Sequence, residues 1–255
     1  MKDIYRYGSE VNSHDLIKIL AISTMVIDHI GRFFLANNVW FRVVGRMAAP
    51  QFFFLVGYSG SARFKSPILF YGIALSVVYY LTNTSGVSLF YQIFPLNILI
   101  SFTLIKALLN KFDPIKLPSE YLILLLSILT LVTIPSYFVI EFGTIGLCYA
   151  MGARLIRERH RRRHLWIFIT VGVHFGMELL LLISNHPEVS TPLLPFVIGL
   201  LAIVFVTNLT IFLKYKFHIF GVKNKYIRTL AIYISRYSLE IYFFHLSAFM
   251  ITYYI

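Results

Sequence analysis

The sequence predicts an all-α polytopic membrane protein of about nine transmembrane helices, N-terminus cytoplasmic and C-terminus outside. Three observations carry this prediction. Windows of about 20 apolar residues recur along the whole chain, the length a bilayer-spanning helix needs. Of the 255 residues 58% are hydrophobic and only 13% charged, and the mean hydropathy is +0.75, a balance that soluble globular domains do not show. Lys and Arg cluster in alternate short connections, the asymmetry that sets topology. Alternating strand patterns are absent, which argues against a barrel.

Taken in order, residues 1–14 are polar and mixed in charge and form a short cytoplasmic arm. The rest of 1–255 is one transmembrane domain with no internal repeat. The first span covers 16–36. Residues 37–46 are a short connection whose Trp40 and Phe41 suit the membrane interface. The second span, 47–62, has Pro50 near its start. Further spans follow at 67–82, 89–108, 119–138, 142–156, 165–184, 193–213 and 229–252. The connections at 63–66, 106–118, 154–164 and 214–228 are basic, whereas those at 83–88, 137–141 and 185–192 hold no Lys or Arg.

The formal charge of +12 resides mainly in those basic connections. The strongest run, Arg154 to His164, is therefore most simply a cytoplasmic loop, with a secondary role open to it in attracting anionic lipid headgroups or a polyphosphorylated ligand, and it does not point to nucleic acid. One connection breaks the rule. Residues 37–46 should be external, yet they carry Arg42 and Arg46. Arginines on that side need a buried carboxylate partner or an anionic substrate. The lone Cys148 builds neither a disulfide framework nor a cysteine metal site. His160 and His164 have metal-ligand spacing but sit among arginines that repel a cation, so no metal is expected. The first apolar stretch is long, charged inside and lacks a small-residue cleavage site, unlike a signal peptide. Oligomeric state leaves no mark in the sequence.

The chemistry concentrates in the first span. Asp15, Lys18, Asp28, His29 and Arg32 lie in or beside its apolar run. At 3.6 residues per turn, positions 15, 18, 22, 25, 29 and 32 line one face. Lys18 and His29 point the same way, about 16 Å apart along the axis. Ionisable groups at such depth face a cavity, a partner or a substrate path. The bland reading is an Asp28–Arg32 pair at i, i+4 and a satisfied core histidine. Counted from the cytoplasmic ends of their spans, Glu178 and His245 lie at nearly the depth of His29, a shared polar layer suited to acid–base work. Asp28 points about 100° away from His29 and suits pairing with Arg32 or Arg46.

These residues carry a resemblance. Asp15 to Lys18 (DLIK), Met25 to Arg32 (MVIDHIGR), Gly45 to Tyr58 (GRMAAPQFFFLVGY), Phe142 to Gly152 (FGTIGLCYAMG) and Ile241 to Leu246 (IYFFHL) resemble the TraX family of pilin acetylases. That family is related to the type-three membrane acyltransferases, whose first helix carries an Arg or Lys, ten residues, then a His. Ala49 stands where family members often have Phe before the proline. The resemblance implies a multi-pass protein of the bacterial inner membrane. It would transfer an acetyl group from cytoplasmic acetyl-CoA to an acceptor, in the pilin acetylases the pilin N-terminal amine. Lys18 would hold a CoA phosphate as a point charge, with Asp15, Arg154 and Arg157 completing the cofactor-binding set, and the rise of about 16 Å to His29 is comparable to an extended pantetheine arm. His29 would be the general base, with Asp28 beside it and Arg32 or Arg46 stabilising the oxyanion. Glu178 and His245 would support the layer. The alternative is a secondary transporter or channel using the same layer as a proton or substrate path.

Overall fold

A computed structural model describes residues 10–35, 38–59, 66–82, 95–185 and 192–254. Most of the expected arm, most of the connection at 63–66, the connection at 83–88, the start of the fourth span and most of 185–192 lie outside the described residues.

The first helix, α1 (Ser13–Phe33), starts where Asn12 accepts from the backbone N–H groups of His14 and Asp15 while the Asp15 carboxylate accepts from the Asn12 N–H. This reciprocal cap satisfies donors that a helix start leaves open. Just before it, β1 (Val11–Asn12) pairs antiparallel with β2 (Ile219–Phe220), Val11 opposite Phe220. The clip ties the start of α1 to the segment that leads into the last two helices.

The expected connection at 37–46 is helical. The Asn38 side chain caps α2 (Val39–Gly45), which leads through Arg46 and Met47 into α3 (Ala48–Tyr58). Pro50 has no N–H to give the Arg46 carbonyl, so the helix breaks at that point. Together Val39–Tyr58 form one apolar stretch of membrane-crossing length. Arg42 and Arg46 thus belong to a membrane-length element, not to an external loop.

After α4 (Ser66–Thr82) comes α5 (Ile98–Lys111), capped by Asn97. Its start is pinned to the 137–141 segment by Leu96 bridging Ile140 and by the Glu141 carboxylate accepting from the Ile98 N–H at 2.8 Å. The expected single helix at 119–138 divides at Val132 into α6 (Ser119–Leu131) and α7 (Thr133–Tyr137). Pro135 in α7 has no N–H for the Leu131 carbonyl, which explains the interruption. Then come α8 (Gly143–Arg157), α9 (Arg163–Asn185) and α10 (Leu194–Lys214). The expected last span also divides, at Tyr237, into α11 (Lys225–Arg236) and α12 (Ser238–Tyr254).

The core forms around α8, most of whose residues are buried. Phe53 and Phe54 of α3, Ile145, Tyr149 and Leu155 of α8, Trp166 and Ile167 of α9, and Phe212 of α10 meet there. Close approach of α3 to α8 depends on Gly57, where a Cβ would lie 1.9 Å from the Ala150 carbonyl oxygen. Such small-residue contacts are how helices associate in lipid, where burial of apolar surface gives little drive. The outer surface is apolar, with Phe70, Leu131 and Phe196 largely exposed. Among the described residues, three helices, Val39–Tyr58, Arg163–Ser184 and Leu194–Lys214, are long and apolar enough to cross a membrane. Pro67–Thr82 and Ser119–Leu131 are apolar but shorter. The chain is a helical membrane protein.

Candidate active site

Two faces of α1 build two clusters. On one face, Lys18 and His29 both point at the α11–α12 segment. The Lys18 ammonium donates to the Ser235 carbonyl at 3.4 Å, and His29 Nδ1 lies 2.8 Å from His245 Nε2. The contacts ascend in the same order on both elements, so α1 and α11–α12 run parallel. The expected alignment of Lys18 with His29 is present.

The His29–His245 pair has a direction. His245 Nδ1 is 2.6 Å from the Ile241 carbonyl oxygen. A carbonyl can only accept, so His245 Nδ1 carries a proton and, in the neutral ring, Nε2 does not. His245 Nε2 must then accept, and His29 Nδ1 must donate. The network therefore assigns the lone pair of neutral His29 to Nε2, the nitrogen left for a substrate. The two rings meet edge to edge, their planes 24° apart and their centroids 5.0 Å apart, and Tyr242 and Phe33 wall in the His29 ring.

On the other face, Asp28 meets α2. Its carboxylate accepts from Arg42 at 2.6 Å. This corrects the expected pairing with Arg32 or Arg46. The reason is the seating of α2: Gly45 rests directly on Asp28, a Cβ there lying 2.2 Å from the Asp28 Cβ, which brings Arg42 of the preceding turn over the carboxylate. Arg46 instead bonds Glu178 of α9 at 2.9 Å. Glu178 also faces His174 Nε2 at 3.4 Å, and His174 Nδ1 lies 3.1 Å from the Tyr149 hydroxyl. Both Glu178 and His174 are at most 2% exposed, and the Arg46 partner answers the charge. The two arginines that break the loop rule therefore have carboxylate partners.

The expected layer of His29, Glu178 and His245 thus divides. His29 and His245 pair on one side of α1, while Glu178 joins Arg46, His174 and Tyr149 on the other. Arg32 is exposed, its guanidinium 5.5 Å from the Phe33 ring centre. Tyr149, His174 and the buried cap Glu141 are not among the site residues expected from sequence, whereas Arg42 stands out there as an arginine in need of a carboxylate. His174 does have a signal, since it sits four residues before Glu178 on one helix face.

At the start of α1, both Asp15 oxygens are occupied, one by the Asn12 N–H and one by the Ser235 hydroxyl at 2.5 Å. His14, in the first turn and outside the span, is held between Tyr58, Tyr215 and Phe217 and shares a hydrogen bond with the Tyr215 hydroxyl. Burial foremost, with the Lys18 charge, lowers its pKa to about 4, so it is neutral at neutral pH. Arg157 donates to the Tyr58 carbonyl at 3.4 Å and faces Glu158, and Arg154 pairs with Asp113 at 3.3 Å. Lys18, Asp15 and Arg157 therefore gather about one end of the bundle through His14 and Tyr58. Arg154, one turn back on α8, turns toward the end of α5. Among the described residues, no three His, Cys, Asp or Glu side chains converge as a metal site needs.

The model of the TraX protein family matches residues 13–251. The chain belongs to the TraX family. The match takes in both clusters and every residue from α1 to His245 discussed above. An uncharacterized protein of Rickettsia prowazekii (strain Madrid E) is 39% identical over 93 residues, 36% of this chain and 35% of that protein. The chain thus spans about a third of the length of the curated relative it matches. No solved structure matches the chain.

Proposed function

We propose that this protein is a membrane-embedded acyltransferase that moves an acetyl group from cytoplasmic acetyl-CoA to an amine at or across the membrane. The observation that carries the proposal is the directed chain from His29 through His245 to the Ile241 carbonyl, with Lys18 on the same face of α1 nearer its start. A base needs a lone pair aimed at the substrate and a partner that steadies its protonated form. His29 Nε2 provides the first and His245 the second.

The reaction follows from that arrangement. Lys18 holds a CoA phosphate as a point charge, and the pantetheine arm runs along α1 to place the thioester beside His29. The acceptor amine attacks the thioester carbonyl, and His29 Nε2 takes the proton released from nitrogen. The tetrahedral intermediate collapses with cleavage of the C–S bond, and CoA leaves as the thiolate, which recovers the proton from imidazolium. Arg32, exposed and three residues past His29, offers its guanidinium to the oxyanion. Arg42 and Arg46 are engaged by Asp28 and Glu178 and act by holding α2 and α9 against α1. Membership of the TraX family favours the N-terminal amine of a conjugative pilin as acceptor.

The same reading sets the protein in the bacterial inner membrane with nine crossings. The basic connections support an inside N-terminus, and the parallel course of α1 and α11–α12 supports an outside C-terminus. A periplasm-active reporter fused after Ile255 should be active and one fused after Arg163 silent. For the activity, the purified protein in liposomes is given labelled acetyl-CoA and a pilin peptide with a free α-amine. Label on the peptide amine is expected. Label crossing the bilayer with no acetylated peptide would instead favour a transporter.

A further inference from the structure

Away from both clusters, α6 and α9 enclose a cavity of about 60 Å³. Its walls are Leu122 and Leu126 of α6 and Leu165, Trp166 and Ile169 of α9, with Arg162 among them. Arg162 Nε is buried and has no hydrogen-bond partner. Leaving a guanidinium N–H unmet in an apolar wall is costly, so this atom calls for an acceptor. Arg162 lies just before the start of α9, within the basic run that α9 leaves behind as it enters the bilayer. Deeper in, Leu126 and Ile169 are apolar, the hydroxyls of Ser127 and Thr130 donate to the α6 carbonyls of Ile123 and Ser127, and α6 continues outward with Ile128 and Leu131 exposed.

We propose that this cavity is a binding site for an anionic phospholipid. The phosphate accepts from Arg162 Nε at the level of the headgroups, and part of one acyl chain fills the cavity while the rest lies along α6. Charge complementarity chooses the occupant. Arg159, Arg161 and Arg163 flank Arg162, and the loop is held in shape by the Arg163 guanidinium donating to the Arg159 and His160 carbonyls. A zwitterionic lipid would satisfy the donor but leave this positive field unanswered, whereas a phosphatidylglycerol-type headgroup answers both. The site stands apart from Lys18 and His29 and does not depend on the acyltransferase reading.

Trp166 in the wall is a built-in reporter. The chain has two tryptophans, so a Trp40→Phe background isolates it. The protein is reconstituted in vesicles of unlabelled phosphatidylcholine with brominated phosphatidylglycerol or brominated phosphatidylcholine, and quenching of Trp166 is read. A preference for the anionic lipid of about fivefold in the exchange constant is expected, the effect of one basic group near the membrane surface. Arg162→Gln should lower quenching by both lipids and reduce the preference, since it removes the phosphate donor and one charge of the cluster while the flanking arginines remain. Ile169→Phe, which fills the cavity and keeps the arginine, should lower quenching by both lipids and keeps the test open if Arg162→Gln misfolds. Equal quenching by the two lipids in the parent, an unchanged preference in Arg162→Gln, or loss of the preference on adding free CoA would overturn the proposal. The last result would make the phosphate CoA's and not a lipid's.

Discussion

Replacing His245 with Ala tests the directed histidine pair. Before transfer, His29 is neutral and its Nδ1–H donates to His245 at 2.8 Å. In the transition state the His29 ring gains a proton at Nε2, and the same bond becomes charge-assisted. A neutral hydrogen bond contributes about 0.5–1.5 kcal/mol and one to a charged group about 1.5–3 kcal/mol. The difference, about 1–1.5 kcal/mol, is the part realised only in the transition state and corresponds to about tenfold in rate. Loss of the acceptor also frees His29 to place its proton on Nε2, and the unproductive tautomer takes a further share, for a total of about 10- to 50-fold. Single-turnover transfer from labelled acetyl-CoA measures the step. CoA affinity should not change, because Lys18 keeps its place by Ser235. His245→Gln, whose amide oxygen can accept from His29, should recover part of the rate. Wild-type rates in folded His245→Ala, or a loss as large as that of His29→Ala, would refute the reasoning.

Three more outcomes follow from the geometry. Lys18→Ala should weaken acyl-CoA binding about tenfold or more, the worth of one charge-assisted contact, and added salt should weaken wild-type binding in the same sense; calorimetric titration with CoA checks both. Gly57→Ala drives a methyl into the Ala150 carbonyl and should cost about 1–3 kcal/mol of stability, seen as a lower melting temperature in detergent with no effect specific to CoA binding. Glu178→Ala leaves Arg46 facing an empty carboxylate site and should cost about 3–5 kcal/mol, whereas Arg46→Met with Glu178→Leu should be milder than either single change, as thermal unfolding of the four proteins would show.

How much of this could be read from sequence depends on whether one helix or two decide the matter. That Lys18 and His29 share a face is a property of α1 alone, fixed by its 3.6-residue period, and the sequence gives it directly. The all-helical class is equally local, a matter of apolar length and scarce charge. Partners across helices are not. Counting residues from a span's end sets the height of Glu178 and His245, but says nothing of which side of α1 each one lies on. His245 falls on the Lys18 side and Glu178 on the opposite one. The partner of Asp28 is decided by Gly45 letting α2 close on α1, and Arg32, the neighbour visible in sequence, is turned outward. The break at Tyr237 falls at no proline or glycine. Its one trace is that Arg228, Ser235 and Arg236 make 225–236 amphipathic where 238–254 is almost uniformly apolar.

The central claim is that His29 removes the acceptor's proton. The direct measurement is the single-turnover rate of acetyl transfer by folded His29→Ala in liposomes, beside its CoA affinity. The rate should fall about 10²–10⁴-fold, the contribution of a positioned general base, with CoA affinity intact because the phosphate contacts lie at the far end of α1. His29→Gln should be nearly as slow. Transfer at the wild-type rate in folded His29→Ala would contradict the account.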